Sequence, residues 1–188
     1  MNREMIIVLD FGSQYNQLIA RRVRECNVYA EVHSYPRSLD KIKEMNPRGI
    51  ILTGGPNNVY KEKSPRCSRK IFEMGIPILG ICYGAQLMAY MLGGLVLNAS
   101  ISEYGKTEVE VDPSSAIFEG VSPKTICWMS HTDYIAKVPD GFQISAVTLV
   151  CPIAAMEFPE KKLYATQFHP EVMHTQEGMK VLSNFVYK

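Results

Sequence analysis

No stretch constrains this chain more than Gly80-Ile81-Cys82-Tyr83-Gly84. It follows the apolar, strand-like run Ile76-Pro77-Ile78-Leu79 and opens onto Gln86-Leu87-Met88-Ala89-Tyr90-Met91-Leu92, whose largely unbranched residues favour a helix. Gly-x-Cys-x-Gly at a strand-to-helix junction has the form of a nucleophile elbow. The flanking glycines let strand and helix approach closely, and the central side chain stands on a sharp turn above the sheet. At a helix N-terminus the sulfur also faces unpaired N–H groups and the positive end of the helix dipole, which favour a nucleophilic anion. Most cysteines are small buried hydrophobes. The two glycines and the junction set Cys82 apart from them.

The rest of the chain supplies the sheet that such an elbow needs. Met5-Ile6-Ile7-Val8-Leu9-Asp10 and Gly49-Ile50-Ile51-Leu52-Thr53 are continuous apolar runs, as in strands buried on both faces of a parallel sheet. Val28 to His33 reads as another strand. Between them, Ser13 is placed to cap a helix whose Leu18, Ile19, Val23 and Cys26 share one face, and Ser38 to cap a short helix ending at Met45. Ser64 to Met74 reads as a further helix, and Gly93-Gly94 break the pattern after the elbow helix. Beyond Leu95 the period changes. Thr107-Glu108-Val109-Glu110-Val111 alternates, Phe142 to Val147 nearly so, and Thr125–His131, Pro152–Phe158 and Leu163–Phe168 read as more strands. A final helix capped by Thr175 runs to about Val186, with Met179, Leu182 and Phe185 inward. The expected fold is α/β: a doubly wound, mainly parallel sheet with helices on both faces and an antiparallel extension, forming one domain over residues 1–188.

Composition narrows the function classes. With 20 basic and 19 acidic residues the formal charge is +1, so nothing points to nucleic acid or an anionic membrane, and Arg21, Arg22 and Arg24 read as a solvated helix face or a partner contact. Five cysteines without a Cys-x-x-Cys pair fit a reducing cytoplasm. Met1-Asn2-Arg3-Glu4 leads into only a short apolar run ended by Asp10, which predicts neither a signal peptide nor a membrane span. Zinc-type ligand spacing is missing, and no metal is expected.

A cysteine nucleophile needs a base, and the base an orienting group. Of the four histidines, His33 has only Glu31 beside it, His174 adjoins a helix start, and His131 has only Asp133 nearby. His169 is better placed, at the end of a predicted strand. Pro170 keeps it out of helical geometry, and in extended backbone Glu171 lies on the same side two residues on. Cys82, His169 and Glu171 therefore form a candidate triad. The backbone N–H groups of Tyr83 and of Gly55, in the Gly54-Gly55-Pro56-Asn57-Asn58 loop at a strand's carboxyl end, are candidate oxyanion donors. Such a set attacks an acyl or amide carbon.

Asp10-Phe11-Gly12-Ser13-Gln14-Tyr15, Thr53-Gly54-Gly55-Pro56, the elbow, Trp128-Met129-Ser130-His131 and Gln167-Phe168-His169-Pro170-Glu171-Val172 together, in this order, resemble class I glutamine amidotransferases. The resemblance implies that Cys82 attacks the side-chain amide of L-glutamine, that His169 protonates the leaving ammonia and activates water, and that Glu171 orients His169. It also implies substrate-holding roles for Gln86, Ser130, His131 and Asp133. Within the family the likeness is nearest to domains that deliver ammonia to an ATP-pyrophosphatase synthetase domain aminating xanthosine monophosphate. A glutaminase of another pathway, such as anthranilate formation, and a non-catalytic module of the same fold are the alternatives. Ala85 and Thr132 depart from the family pattern, where a larger apolar residue and Gly are frequent. The Ser-Gly-Gly-x-Asp-Ser pyrophosphate loop of the synthetase does not occur here. ATP and Mg²⁺ are thus expected on a separate partner subunit or domain, and no cofactor on this chain.

Overall fold

The computed structural model describes residues 4–187; Met1, Asn2 and Arg3, from the N-terminal stretch read above, and Lys188 lie outside it. Four strands carry the parallel half: β1 (Met5–Asp10), β2 (Tyr29–Ser34), β3 (Gly49–Leu52) and β4 (Ile78–Ile81). Five more follow: β5 (Leu95–Val111), β6 (Lys124–Lys137), β7 (Gln143–Val147), β8 (Ala155–Phe158) and β9 (Leu163–Thr166). They form one nine-stranded sheet in the order β2-β1-β3-β4-β9-β8-β7-β5-β6. Pairing is parallel from β2 through β9 and antiparallel from β9 through β6, so the antiparallel extension is part of the same sheet.

Strand β1 feeds both faces because successive side chains alternate. Ile6 and Val8 pack with Ile19 and Val23 of α1 (Asn16–Glu25) and with Val181, Leu182 and Phe185 of α4 (Gly178–Tyr187). Ile7 and Leu9 pack on the other face with Ile42 of α2 (Leu39–Met45) and with Tyr83, Leu87 and Met88 of α3 (Tyr83–Met91). Helices therefore cover both faces, as the continuous apolar strands require. None among the described residues is long and apolar enough to cross a membrane.

Several local expectations are corrected. Ser13 does not cap α1: the Asp10 carboxylate accepts from the Gly12 and Ser13 amides, Ser13 Oγ accepts from Tyr15 N, and the helix starts only at Asn16. Residues 64–74 do not form an α-helix. Pro65 lacks an N–H, Ser64 Oγ donates to Asn58 O, Arg66 donates to Val59 O and Lys61 O, and only Arg69–Glu73 closes as a 3-10 helix. Thr175 does not cap α4, which begins at Gly178, and Met179 is exposed. Arg21 is solvated, but Arg22 donates to Glu171 O and Arg24 to Ala30 O. Ser38 does cap α2, accepting from Lys41 N.

Candidate active site

The carboxyl ends of β1, β3, β4 and β9 meet Ser130–Asp133 in the middle of β6 around a cavity of about 430 Å³. Open α/β sheets place ligands at this edge. Each strand end contributes through a local device that the sequence dictates.

At the end of β4, Cys82 has φ +54° and ψ −108°, a conformation that side-chain-bearing residues rarely adopt. Its amide donates to Thr166 O on β9 at 2.8 Å, and its carbonyl accepts the Gln86 amide of α3. The surrounding glycines are required by space. A Cβ on Gly80 would lie 2.6 Å from Gly84 O, and one on Gly84 only 2.3 Å from Leu52 O. The elbow is thus wedged between α3 and β3 with its sulfur lining the cavity. Gly54, after β3, sits between the two reactive groups, its Cβ direction pointing 3.5 Å from Cys82 Cβ and 3.4 Å from His169 Cε1. Gly55 has no room for a side chain either, since a Cβ would meet Phe11 O at 2.5 Å.

After β9 the chain turns through Gln167, His169 and Glu171, all buried. His169 Nδ1 donates to Glu171 Oε1 at 2.7 Å, which leaves Nε2 for Cys82. His169 is held from three sides: its backbone amide donates to Trp128 O, Thr175 Oγ1 donates to its backbone carbonyl at 2.6 Å, and Tyr15 meets its ring edge-on at 5.6 Å. Thr175, expected as a helix cap, is in fact a brace, since its Oγ1 also accepts from Trp128 N. Burial alone would lower the His169 pKa, but the Glu171 charge and the contacts with Cys82 outweigh it and hold the ring well above its ordinary 6.5. An imidazole so placed can take a thiol proton.

The strand read as Thr125–His131 runs on to Lys137, so the middle of β6, not its end, forms the opposite wall. Ser130 O accepts from Cys82 Sγ at 3.7 Å. Asp133 is buried, and its carboxylate accepts from Asn58 Nδ2, Tyr60 Oη and Asn98 Nδ2. Gln86 turns its amide nitrogen to Asp133 O at 2.9 Å and Gln167 Oε1 at 3.0 Å. The His131 ring lies between Asp133 O and Glu103 Oε2. Cys82, His169, Gly55, Gln86, Ser130, His131 and Asp133 all line the one cavity, while Glu171 stands behind His169 and Tyr83 offers the first amide of α3, its ring buried against Phe11.

Sequence reasoning missed Tyr60, Asn98 and Glu103, whose polar side chains leave no periodic trace in a single sequence, and gave no role to Tyr15 and Gln167, although both fall inside the motifs quoted above. It also missed that Glu103, His131 and Cys151 bring their ligand-type atoms within 4.8 Å of one another. His174 lies against Trp128 at 4.9 Å between ring centres, and His33 pairs with Glu31.

Residues 7–188 match the family described as glutamine amidotransferase class-I. The chain is 67% identical over 187 residues to a GMP synthase [glutamine-hydrolyzing] of Clostridium botulinum and 62% identical over 186 residues to one of Lachnospira eligens. It is covered almost completely in both, yet spans only 36% of either relative's length. Among solved structures it resembles a candidate GMP synthase subunit of Thermoplasma acidophilum, with TM-score 0.87, 34% identity, and 98% of this chain and 92% of that one covered. A glutamine amidotransferase of Thermotoga maritima shares the fold at TM-score 0.72 and 20% identity, over 90% of this chain and 77% of that one.

Proposed function

The chain belongs to the class-I glutamine amidotransferase family, and from that membership we propose that residues 1–188 act as one glutaminase domain, hydrolysing the side-chain amide of L-glutamine through a Cys82 thioester and passing the ammonia to a synthetase portion. One observation carries the reading: the buried His169–Glu171 pair and the positive-φ Cys82 face one another across Gly54 in a single cavity.

The steps follow from the donors and acceptors present. His169 Nε2 takes the Cys82 proton as Sγ attacks the amide carbon of glutamine, and the negative charge gathers on the amide oxygen. The N–H groups of Tyr83 and Gly55 receive that oxygen; each such donor lowers the barrier by about 3 kcal/mol. His169 returns its proton to the departing nitrogen, which leaves as ammonia, and a glutamyl thioester remains. Water, deprotonated by His169, then attacks the thioester carbon and releases glutamate and the thiol. Glu171 holds the ring in the tautomer that both half-reactions need. Gln86, Ser130 and Asp133 form the receiving wall, with the Asp133 carboxylate pairing with the substrate ammonium.

The synthetase portion aminates xanthosine monophosphate to GMP, and ATP and Mg²⁺ act there rather than on residues 1–188. The length that the GMP synthase relatives have beyond this chain supports that assignment. A cytoplasmic setting suits its five free cysteines. Glutamate release from glutamine tests the reading, with Cys82→Ala as the control. Turnover abolished by the substitution and raised by addition of a synthetase domain is expected; equal turnover in the variant would overturn it.

A further inference from the structure

A second polar cluster braces the cavity wall from behind. Strand β5 pairs Asn98 with Asp133 and Glu103 with His131, so residues 99–102 bulge out opposite the single residue Thr132. Side chains from both flanks of the bulge return to β6. Asn98 Nδ2 donates to Asp133 Oδ1 at 3.0 Å, and Glu103 Oε2 lies 3.0 Å from His131 Nε2. Both members of the second pair are buried, Glu103 at 8% and His131 at 6% exposure.

The hydrogen-bond directions tie this pair to the site. His131 Nδ1 is 2.8 Å from Asp133 O, and a carbonyl only accepts, so Nδ1 carries a hydrogen. That same carbonyl accepts from Gln86 Nε2, and Ser130, the residue before His131, presents its carbonyl to Cys82 Sγ. On the far side, Glu103 Oε1 accepts from Thr148 Oγ1 at 2.9 Å, and Thr148 Oγ1 accepts from Cys151 N. Glu103 thus links the 148–151 turn to the segment of β6 that faces the nucleophile. Cys151 completes the cluster, and its Sγ donates to Ile153 O at 3.4 Å. Every ligand-type atom of the three residues already has a hydrogen-bond partner, which suits a strut rather than a cation site.

We propose that Glu103 is a positioning residue: acting through the His131 ring, it fixes the Ser130–Asp133 segment in the middle of β6 so that Gln86, Ser130 and Asp133 keep the geometry that receives glutamine. The proposal rests on the glutaminase reading above and revises one part of the sequence expectation. On this proposal His131 acts by holding the wall in place, with both ring nitrogens bonded within the protein.

The test compares wild type with Glu103→Ala, Glu103→Asp and Glu103→Gln. Its readouts are kcat and KM for glutamine, alkylation of Cys82 by iodoacetamide, and the metal content of the purified chain. Ala and Asp, which remove or shorten the reach to His131, raise KM about tenfold with kcat changed less than about threefold and iodoacetamide reactivity kept. Gln, whose amide can donate to a bare Nε2, restores KM to within about threefold of wild type. Asp serves where Ala fails to fold. Wild-type KM in Ala or Asp would overturn the proposal, as would equal damage by Gln, or a stoichiometric metal that the substitutions remove. A wild-type chain that neither hydrolyses glutamine nor reacts with an electrophilic glutamine analogue would overturn the glutaminase reading itself. Normal wild-type turnover with unchanged KM in the variants would overturn the Glu103 proposal alone.

Discussion

His169 Nδ1 lies 2.7 Å from Glu171 Oε1, with the histidine 4% and the glutamate 1% exposed. A carboxylate this deeply buried is stable only because a donor answers it, and the histidine keeps its orientation for the same reason. The pair therefore couples the site's chemistry to the stability of the fold.

That coupling has a pH signature. Burial acts to lower the His169 pKa, but Glu171 and Cys82 hold it well above 6.5, so the folded value is raised. A raised folded value contributes stability in full below the unfolded value and loses it as pH rises through the folded one. In Glu171→Gln the attraction is gone, so the deficit relative to wild type in urea unfolding is largest at about pH 6 and narrows by about pH 9. A deficit that grows with pH contradicts this.

The backbone at Cys82 makes a separate prediction. With φ at +54°, alanine inherits the strain while glycine relieves it. Cys82→Gly unfolds at higher urea than Cys82→Ala, with a difference of about 1 kcal/mol after allowing for glycine's greater unfolded-state freedom. Equal midpoints would mean that the turn is unstrained. Neither variant hydrolyses glutamine.

Gly84 is held to its size by the neighbouring strand. A Cβ there would sit 2.3 Å from Leu52 O, a backbone atom that cannot swing aside, so α3 must shift away from β3. Gly84→Ala costs about 3 kcal/mol, which lowers Tm by about 6–12 °C for a domain of this size. Thermal unfolding followed by circular dichroism checks it; a Tm within about 2 °C of wild type would show that α3 has slack there.

The parts of the chain that were legible before the structure are those where local chemistry and tertiary role agree. Strand β1 spans Met5–Asp10 as read, because a run of five apolar residues can only be buried on both faces. Cys82 stood out because its glycines are dictated by atoms a few residues away or on the adjacent strand. His169 and Glu171 could be paired because they lie two residues apart. What was hidden depends on contacts distant in sequence. Thr175 looks like a helix cap until Trp128 and His169 are brought against it, and Ser64 like a helix start until its hydroxyl finds Asn58 O. Glu103 follows a bulge at residues 99–102 that breaks the alternation of β5, so no period could mark it as facing His131.

The most direct test of the central claim is the intact mass of the chain after incubation with an electrophilic glutamine analogue, with and without excess L-glutamine, and with Cys82→Ala beside it. The account predicts a single adduct that maps to Cys82, is suppressed by glutamine, and is missing in the variant. Labelling spread over Cys26, Cys67, Cys127 and Cys151, or labelling of Cys82 that glutamine does not suppress, would contradict it.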